Sequence, residues 1–80
     1  MTLRIRLFAH MAQRAGRPAL TLEVPEGATL GEAAELLRRQ LPELPWPAST
    51  LLAVNQAYVP WGERLQENDE IAVIPPVSGG

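Results

Sequence analysis

The stretch TLGEAAELLRRQLP, residues 29–42, determines the main helix of the fold, because it combines a helix start signal, a helical apolar period and a stop. Thr29 and Glu32 match the capping box, in which each residue binds the backbone amide of the other. Apolar side chains recur at i, i+3, i+4, i+7 and i+11 from Leu30, which gives one apolar stripe. Pro42 cannot continue a helix. We therefore predict a helix that begins after Thr29, ends near Leu41 and buries one face.

Period-two alternation of apolar and polar residues predicts strands on both sides of this helix. Residues 2–8 and 19–24 form a predicted hairpin, joined by a long connection over residues 9–18 that contains a helical turn. After the helix, we predict strands at residues 51–55, at a short segment around Tyr58 and Val59, and at residues 71–74. A single amphipathic helix can cover only one face of a sheet. The predicted class is α+β, with one main helix packed on one face of the sheet.

The composition limits the domain count and the compartment. The 80 residues are enough for one domain, and a hydrophobic content of 46% is typical of a compact globular chain. Cysteine is absent, which excludes disulfides, thiolate metal sites and a cysteine nucleophile, and which fits a reducing compartment. Arg4 and Arg6 interrupt the first apolar run, so we expect no signal peptide there. We expect a cytoplasmic protein.

The charged residues argue against nucleic-acid binding. Seven arginines face nine acidic residues, for a net charge of −2, whereas nucleic-acid binders carry a basic surplus on one face. There is no lysine, so the chain offers no ε-amine for Schiff-base chemistry or for receiving an isopeptide bond.

No set of residues in the sequence assembles an active site. His10 is the only histidine and has no acid or cysteine at ligand spacing, so we predict no metal site. Ser78 would need a fixed base and an oxyanion hole to act as a nucleophile, and a flexible tail can hold neither. A phosphate-binding glycine-rich loop is absent. We expect a chain that is not an enzyme by itself.

The ending IAVIPPVSGG, residues 71–80, points instead to the chain terminus. An apolar strand meets two prolines, which cannot donate to a sheet, and is followed by small residues that finish in Gly79 and Gly80. Such a slim end can enter a narrow tunnel in a partner, because glycine lets backbones approach closely. The candidate reactive group is the α-carboxylate of Gly80. The alternative is a frayed chain end without a functional role. We divide the chain into a domain of residues 1–76 and a flexible tail of residues 77–80.

The outer face of the predicted sheet carries a second candidate site. The alternation directs Phe8, Tyr58 and Ile74 away from the helix, near the root of the tail. A contiguous apolar patch of this kind indicates a protein partner. The alternative is that these side chains are scattered surface residues or additional core.

Several segments carry a family resemblance. The runs AVNQ (53–56), DEIAVI (69–74) and above all PPVSGG (75–80), with LFA (7–9) and AG (15–16), are similar to the small subunits of molybdopterin synthase, the sulfur carriers of molybdenum cofactor biosynthesis. The likeness spans essentially the whole chain and implies the ubiquitin-like β-grasp roll with a mixed sheet. Residues 67–69 (Glu-Asn-Asp) depart from an expected Asp-Gly-Asp, and we expect Asn68 to take the left-handed conformation of the missing glycine.

The resemblance also implies a mechanism and a set of partners. A ubiquitin-activating-like adenylyltransferase would use ATP to adenylate Gly80, and a sulfurtransferase or cysteine desulfurase would supply the sulfur of a C-terminal thiocarboxylate. The tail, made of Pro76, Val77, Ser78 and Gly79 before Gly80, would enter the large subunit and donate sulfur to cyclic pyranopterin monophosphate. Phe8, Tyr58 and Ile74 match the docking surface of the family. The implied assembly is a heterotetramer of two small and two large chains, in which this chain binds no cofactor.

Two other functions fit the same features. A sulfur carrier for thiamine or for tRNA 2-thiouridine synthesis would share the fold and the glycine pair but usually lacks the PPVS stretch. A ubiquitin-like modifier would join its terminus to lysines of other proteins.

Overall fold

The computed structural model describes residues 1–46 and 50–74. Within these residues the chain forms β1 (Thr2–Leu7), α1 (Ala9–Ala15), β2 (Ala19–Glu23), α2 (Leu30–Gln40), β3 (Leu51–Val54) and β4 (Glu70–Ile74). The strands form one four-stranded sheet in the order β2-β1-β4-β3. The apolar side of α2 joins the same core as the sheet. The predicted α+β architecture, a mixed sheet with one main helix on one face, is confirmed.

The directions of the strands fix where the chain leaves the sheet. β1 is antiparallel to β2, which confirms the predicted hairpin, and parallel to β4; β3 is antiparallel to β4. Leu7 lies opposite Val73, and Ile74 lies opposite Leu51. Because β1 and β4 run in the same direction, they end at the same edge of the sheet, so Phe8 and Ile74 emerge as neighbours.

The helix α2 begins as the sequence predicts. The Thr29 hydroxyl accepts from the Glu32 amide at 3.2 Å, and the Thr29 amide donates to Glu32 Oε1 at 2.9 Å. Two further amides of the first turn, those of Leu30 and Gly31, donate to the carbonyls of Glu63 and Trp61, each at 2.9 Å. The start of the helix is therefore capped by its own box and by the loop of residues 60–65.

One core lies between α2 and the sheet. The inward side chains of all four strands are buried there. The predicted stripe of α2 is buried except at Ala34, which is partly buried, and α1 adds the buried Met11. The largest side chains with almost no exposure are Leu3, Ile5, Met11, Leu22, Leu30, Leu37, Ile71 and Val73. The alternation in β4 is confirmed, because Ile71 and Val73 are buried while Ala72 and Ile74 are partly exposed. Trp46 packs against the core, as expected, and its indole N–H donates to the Leu41 carbonyl at 2.9 Å.

The connection between β1 and β2 is more ordered than the sequence indicates. Its predicted helical turn is the seven-residue helix α1, which buries Met11 and ends at Gly16 in the left-handed conformation (φ 78°). Gly16 donates to the Ala12 carbonyl at 3.0 Å, a helix-ending bond that a left-handed residue permits. Phe8, predicted as the last residue of the first strand, instead precedes α1 with an extended backbone.

The predicted short strand around Tyr58 and Val59 is wrong. The described chain has only an isolated bridge there, between Val54 and Ala57. Two hydrogen bonds of 2.8 and 3.0 Å close a turn between these residues, and Pro60 has no amide to extend a ladder. The turn at Asn68 is as expected, with φ 68°.

Candidate functional site

The outer face of the sheet, opposite α2, is divided into a charged part and an apolar part. Arg4 and Arg6 of β1 lie beside Glu70 of β4, at 4.0 and 3.9 Å. Both arginine side chains are more than half exposed, so these ion pairs add little to stability. In the next rows of the register, Ala72 lies opposite Ala53, and Ile74 lies opposite Leu51. The face therefore turns apolar toward the edge where β4 ends.

The three predicted docking residues lie together at this edge. Phe8, Tyr58 and Ile74 line one shallow depression of about 430 Å³, and its other lining residues are Ala53, Ala72 and Gln56. We call these six residues the outer-face patch. Phe8 and Tyr58 are 40% and 65% exposed, so the patch presents two large aromatic side chains to solvent. The small side chains of Ala53 and Ala72 line the same depression.

Local backbone geometry and a cation set the position of Phe8. The residue after it, Ala9, has a left-handed backbone (φ 51°), which turns the chain sharply from β1 into α1. The Arg6 guanidinium lies over the Phe8 ring at 5.5 Å from its centroid, within the range of a cation–π contact. The positive charge of Arg6 thus borders the apolar patch directly.

The other predicted site residues lie outside the part of the chain that the structure describes. These are Gly80, which carries the candidate reactive group, and the tail residues Gly79, Ser78, Val77 and Pro76. Ile74 is the last residue described, and it belongs to the outer-face patch. The roles of the tail and the division of the chain at residue 76 stay predictions.

Four residues at this edge are not among those predicted from the sequence. Ala53, Gln56 and Ala72 line the patch, and Leu51, which is 50% exposed, extends its apolar row. The alternation in β4 already directed Ala72 outward. Placing β3 beside it requires the register between two strands far apart in sequence, and no short pattern carries that information.

Other candidate sites are weak in the residues that the structure describes. No group of three histidine, aspartate or glutamate residues that could hold a metal ion occurs among them. None of their helices is long and apolar enough to cross a membrane. A second concavity of about 150 Å³ lies between α2 and β3, with Trp46 and Trp61 on its wall.

The electrostatic effect at Glu32 serves the fold and not this site. The backbone N–H of Thr29, followed by the Thr29 hydroxyl and the positive charge of Arg64, holds the pKa of the Glu32 carboxyl below its ordinary value. This carboxylate belongs to the cap of α2.

Comparison with known proteins agrees with the fold and the resemblance. The model of the ThiS family matches residues 5–80, nearly the whole chain. The chain belongs to the ThiS family. A molybdopterin synthase sulfur carrier subunit of Arabidopsis thaliana is 37% identical over 79 residues, which cover 98% of this chain and 82% of the relative. The resemblance to molybdopterin synthase small subunits is thereby confirmed.

Solved structures confirm the ubiquitin-like β-grasp fold of this ThiS-family chain. Small archaeal modifier protein 1 of Haloferax volcanii matches with a TM-score of 0.80 and 26% identity, over 95% of this chain and 98% of that one. A ubiquitin of Caldiarchaeum subterraneum matches with a TM-score of 0.68 and 24% identity, over 100% of this chain and 98% of the other.

Proposed function

We propose that this chain is the sulfur carrier subunit of a cytoplasmic molybdopterin synthase and that the α-carboxylate of Gly80 carries the sulfur. The observation that supports this most strongly is the 37% identity to a molybdopterin synthase sulfur carrier subunit over 98% of the chain. The ending PPVSGG provides the slim terminus that such a carrier needs.

The proposed chemistry begins with activation, because a carboxylate is a poor electrophile. An adenylyltransferase joins the Gly80 carboxylate to the α-phosphate of ATP and releases pyrophosphate. A persulfide from a sulfurtransferase or cysteine desulfurase attacks the acyl carbon and displaces AMP. Cleavage of the resulting S–S bond by a second thiol leaves a thiocarboxylate. ATP is consumed by the partner, and this chain holds no cofactor.

The second half of the proposal is sulfur delivery. The large subunit admits the tail and supplies the charged residues that bind cyclic pyranopterin monophosphate, and the thiocarboxylate sulfur of Gly80 attacks this substrate. The attack forms a C–S bond to the pterin and leaves Gly80 joined to it as an acyl thioester. Water then hydrolyses the acyl–sulfur bond, so the sulfur stays on the pterin and the carrier returns to the carboxylate, ready for a new activation. The chain is thus a cosubstrate and leaves catalysis to its partners.

The geometry of the outer face supports docking beside the tail. β4 ends in the outer-face patch at Ile74, and six residues follow it. Six extended residues reach about 20 Å at most. A protein that binds Phe8, Tyr58 and Ile74 therefore lies within reach of Gly80, and the same patch serves the adenylyltransferase and the large subunit in turn.

Deletion of Gly80 tests this function. We expect the variant to fold like the parent, because the core of the described residues ends at Val73, and to lose sulfur transfer to the pterin completely. Synthesis of molybdopterin in a reconstituted assay measures the transfer, and circular dichroism measures the fold. Glu35→Gln is the control, since Glu35 is exposed on α2, on the other side of the sheet from the outer-face patch, and this variant keeps Gly80 and its carboxylate, so it should stay active. Sulfur transfer by the chain that lacks Gly80 would contradict the proposal.

A modifier function is the second candidate, because the small archaeal modifier protein of Haloferax volcanii matches nearly the whole fold. A modifier would form amide bonds between Gly80 and lysines of other proteins. Incubation with ATP and cell extract distinguishes the two functions: a modifier yields conjugates that survive denaturation and thiols, whereas a carrier yields a free thiocarboxylate.

A further inference from the structure

Gln56 has a backbone conformation that its side chain does not favour. Asn55 and Gln56 are the two central residues of the turn between Val54 and Ala57, and both are left-handed, with φ of 49° and 69°. Positive φ at both positions is the arrangement of a type I′ turn, for which Asn-Gly is the preferred pair. Glutamine at the second position costs free energy that glycine would not.

The two turn residues differ in what their side chains do. The side-chain nitrogen of Asn55, Nδ2, donates to Asp69 Oδ1 at 2.9 Å, and the side-chain oxygen of Asn55 accepts from the backbone N–H of Glu70 at 3.0 Å. Its left-handed conformation is therefore stabilised by tertiary contacts. The Gln56 side chain is exposed and makes no hydrogen bond to the residues that the structure describes. Backbone hydrogen bonds between Val54 and Ala57 close the turn, but the Gln56 side chain itself adds no hydrogen bond that offsets the cost of its conformation.

Gln56 lies beside the predicted docking residues. Its side chain lines the outer-face patch with Phe8, Tyr58 and Ile74, whose surface is almost entirely apolar, and this exposed side chain ends in a carboxamide. A carboxamide carries a donor and an acceptor side by side, which match those of a peptide group. At the edge of an apolar contact, such a pair gives orientation and specificity.

We propose that Gln56 is a specificity residue of the outer-face patch, whose carboxamide hydrogen-bonds to a main-chain peptide group of the docked large subunit. The inference rests on the proposed function, which supplies both the docking surface and the large subunit as its partner. In this proposal, the left-handed conformation of Gln56 lowers the stability of the folded chain, and the hydrogen bond from its side chain strengthens binding to the partner.

Two substitutions separate the carboxamide from the backbone strain. Gln56→Gly removes both, so we expect a higher melting temperature together with weaker binding. Gln56→Ala removes the carboxamide and keeps the strain, so we expect an unchanged melting temperature and the same loss of binding. Binding to the large subunit of molybdopterin synthase, measured by calorimetry, should weaken about three- to tenfold in both variants, as for the loss of one net hydrogen bond.

Other outcomes overturn the inference. If both variants bind as tightly as the parent, Gln56 is only a tolerated turn residue. If Gln56→Gly alone binds weakly, the flexibility of the turn matters and the carboxamide does not. A lower melting temperature for Gln56→Gly would contradict the strain itself. The variant Ile74→Asp tests the proposed docking surface separately. If Ile74→Asp binds the large subunit normally, the patch is not the docking surface. If only Ile74→Asp binds weakly, the docking surface stands and the role of Gln56 is refuted.

Discussion

Single side chains of the outer-face patch should decide whether the chain binds its partners. We predict that Phe8→Asp and Ile74→Asp each weaken binding to the large subunit at least tenfold, about 1.4 kcal/mol, because a carboxylate in a closed apolar contact loses its hydration. Calorimetric titration of the large subunit measures the change. The fold should persist, since Phe8 is exposed and Ile74 is partly exposed on the outer face of the sheet, away from the core.

Thr21→Asp is the matched control for these two variants. Thr21 is exposed on β2, on the other side of β1 from the patch, and it lies opposite Arg4 in the register. The same new charge on the same sheet should leave affinity unchanged if only the patch makes contact. Equal affinities for all three variants would refute the docking surface.

For single residues, the sequence predicts the large apolar members of the outer-face patch and does not predict the small and polar ones. Period-two alternation directs Ile74 outward, and the exposure of Phe8 and Tyr58 agrees with the predicted positions. The alternation does not show that Ala53 pairs with Ala72, since that depends on the register of β3 against β4. Gln56 stands out only through its φ of 69°, which a sequence does not display.

The capping box at the start of α2 can be tested by its effect on stability. Hydrogen bonds from Thr29 hold the pKa of Glu32 below its ordinary value of 4.5. The unfolded chain lacks these bonds, so folding favours the carboxylate. The resulting stabilisation is complete above pH 4.5 and is lost as the pH falls through the lowered pKa of the folded state.

We predict that Glu32→Gln is less stable than the parent at neutral pH and that this difference shrinks below pH 4.5. Thr29→Ala should cost about 1 kcal/mol, as for loss of a helix N-cap. Urea unfolding over a pH series measures both effects. Glu35→Gln is the control on the same helix, because Glu35 forms an exposed ion pair with Arg39, at 3.8 Å, which adds little to stability. A difference for Glu32→Gln that does not vary with pH would contradict this explanation of the cap.

The elements that the sequence predicts well are those whose cause is local. The capping box, the apolar stripe and Pro42 define α2 without reference to the rest of the chain. In contrast, α1 has only seven residues and is held in place by the burial of Met11. No pattern in the sequence predicts that Met11 is buried. The strand predicted at Tyr58 failed because a two-residue alternation cannot show whether a partner strand is present.

For the whole molecule, the central feature is the parallel pairing of β1 and β4. It brings the end of β4 beside Phe8, so in the proposed function one docked protein would contact the patch and receive the six residues after Ile74. In that proposal the folded domain binds the partners, and the reactive group is the terminal carboxylate.

The intact mass of the protein before and after incubation with ATP, the adenylyltransferase and a persulfide donor tests this most directly. We predict a gain equal to the difference between one sulfur and one oxygen atom, confined to the C-terminal peptide that ends in Gly80. The chain that lacks Gly80 should show no gain. An unchanged mass, or a gain located anywhere else in the chain, would contradict the proposal that Gly80 carries the sulfur.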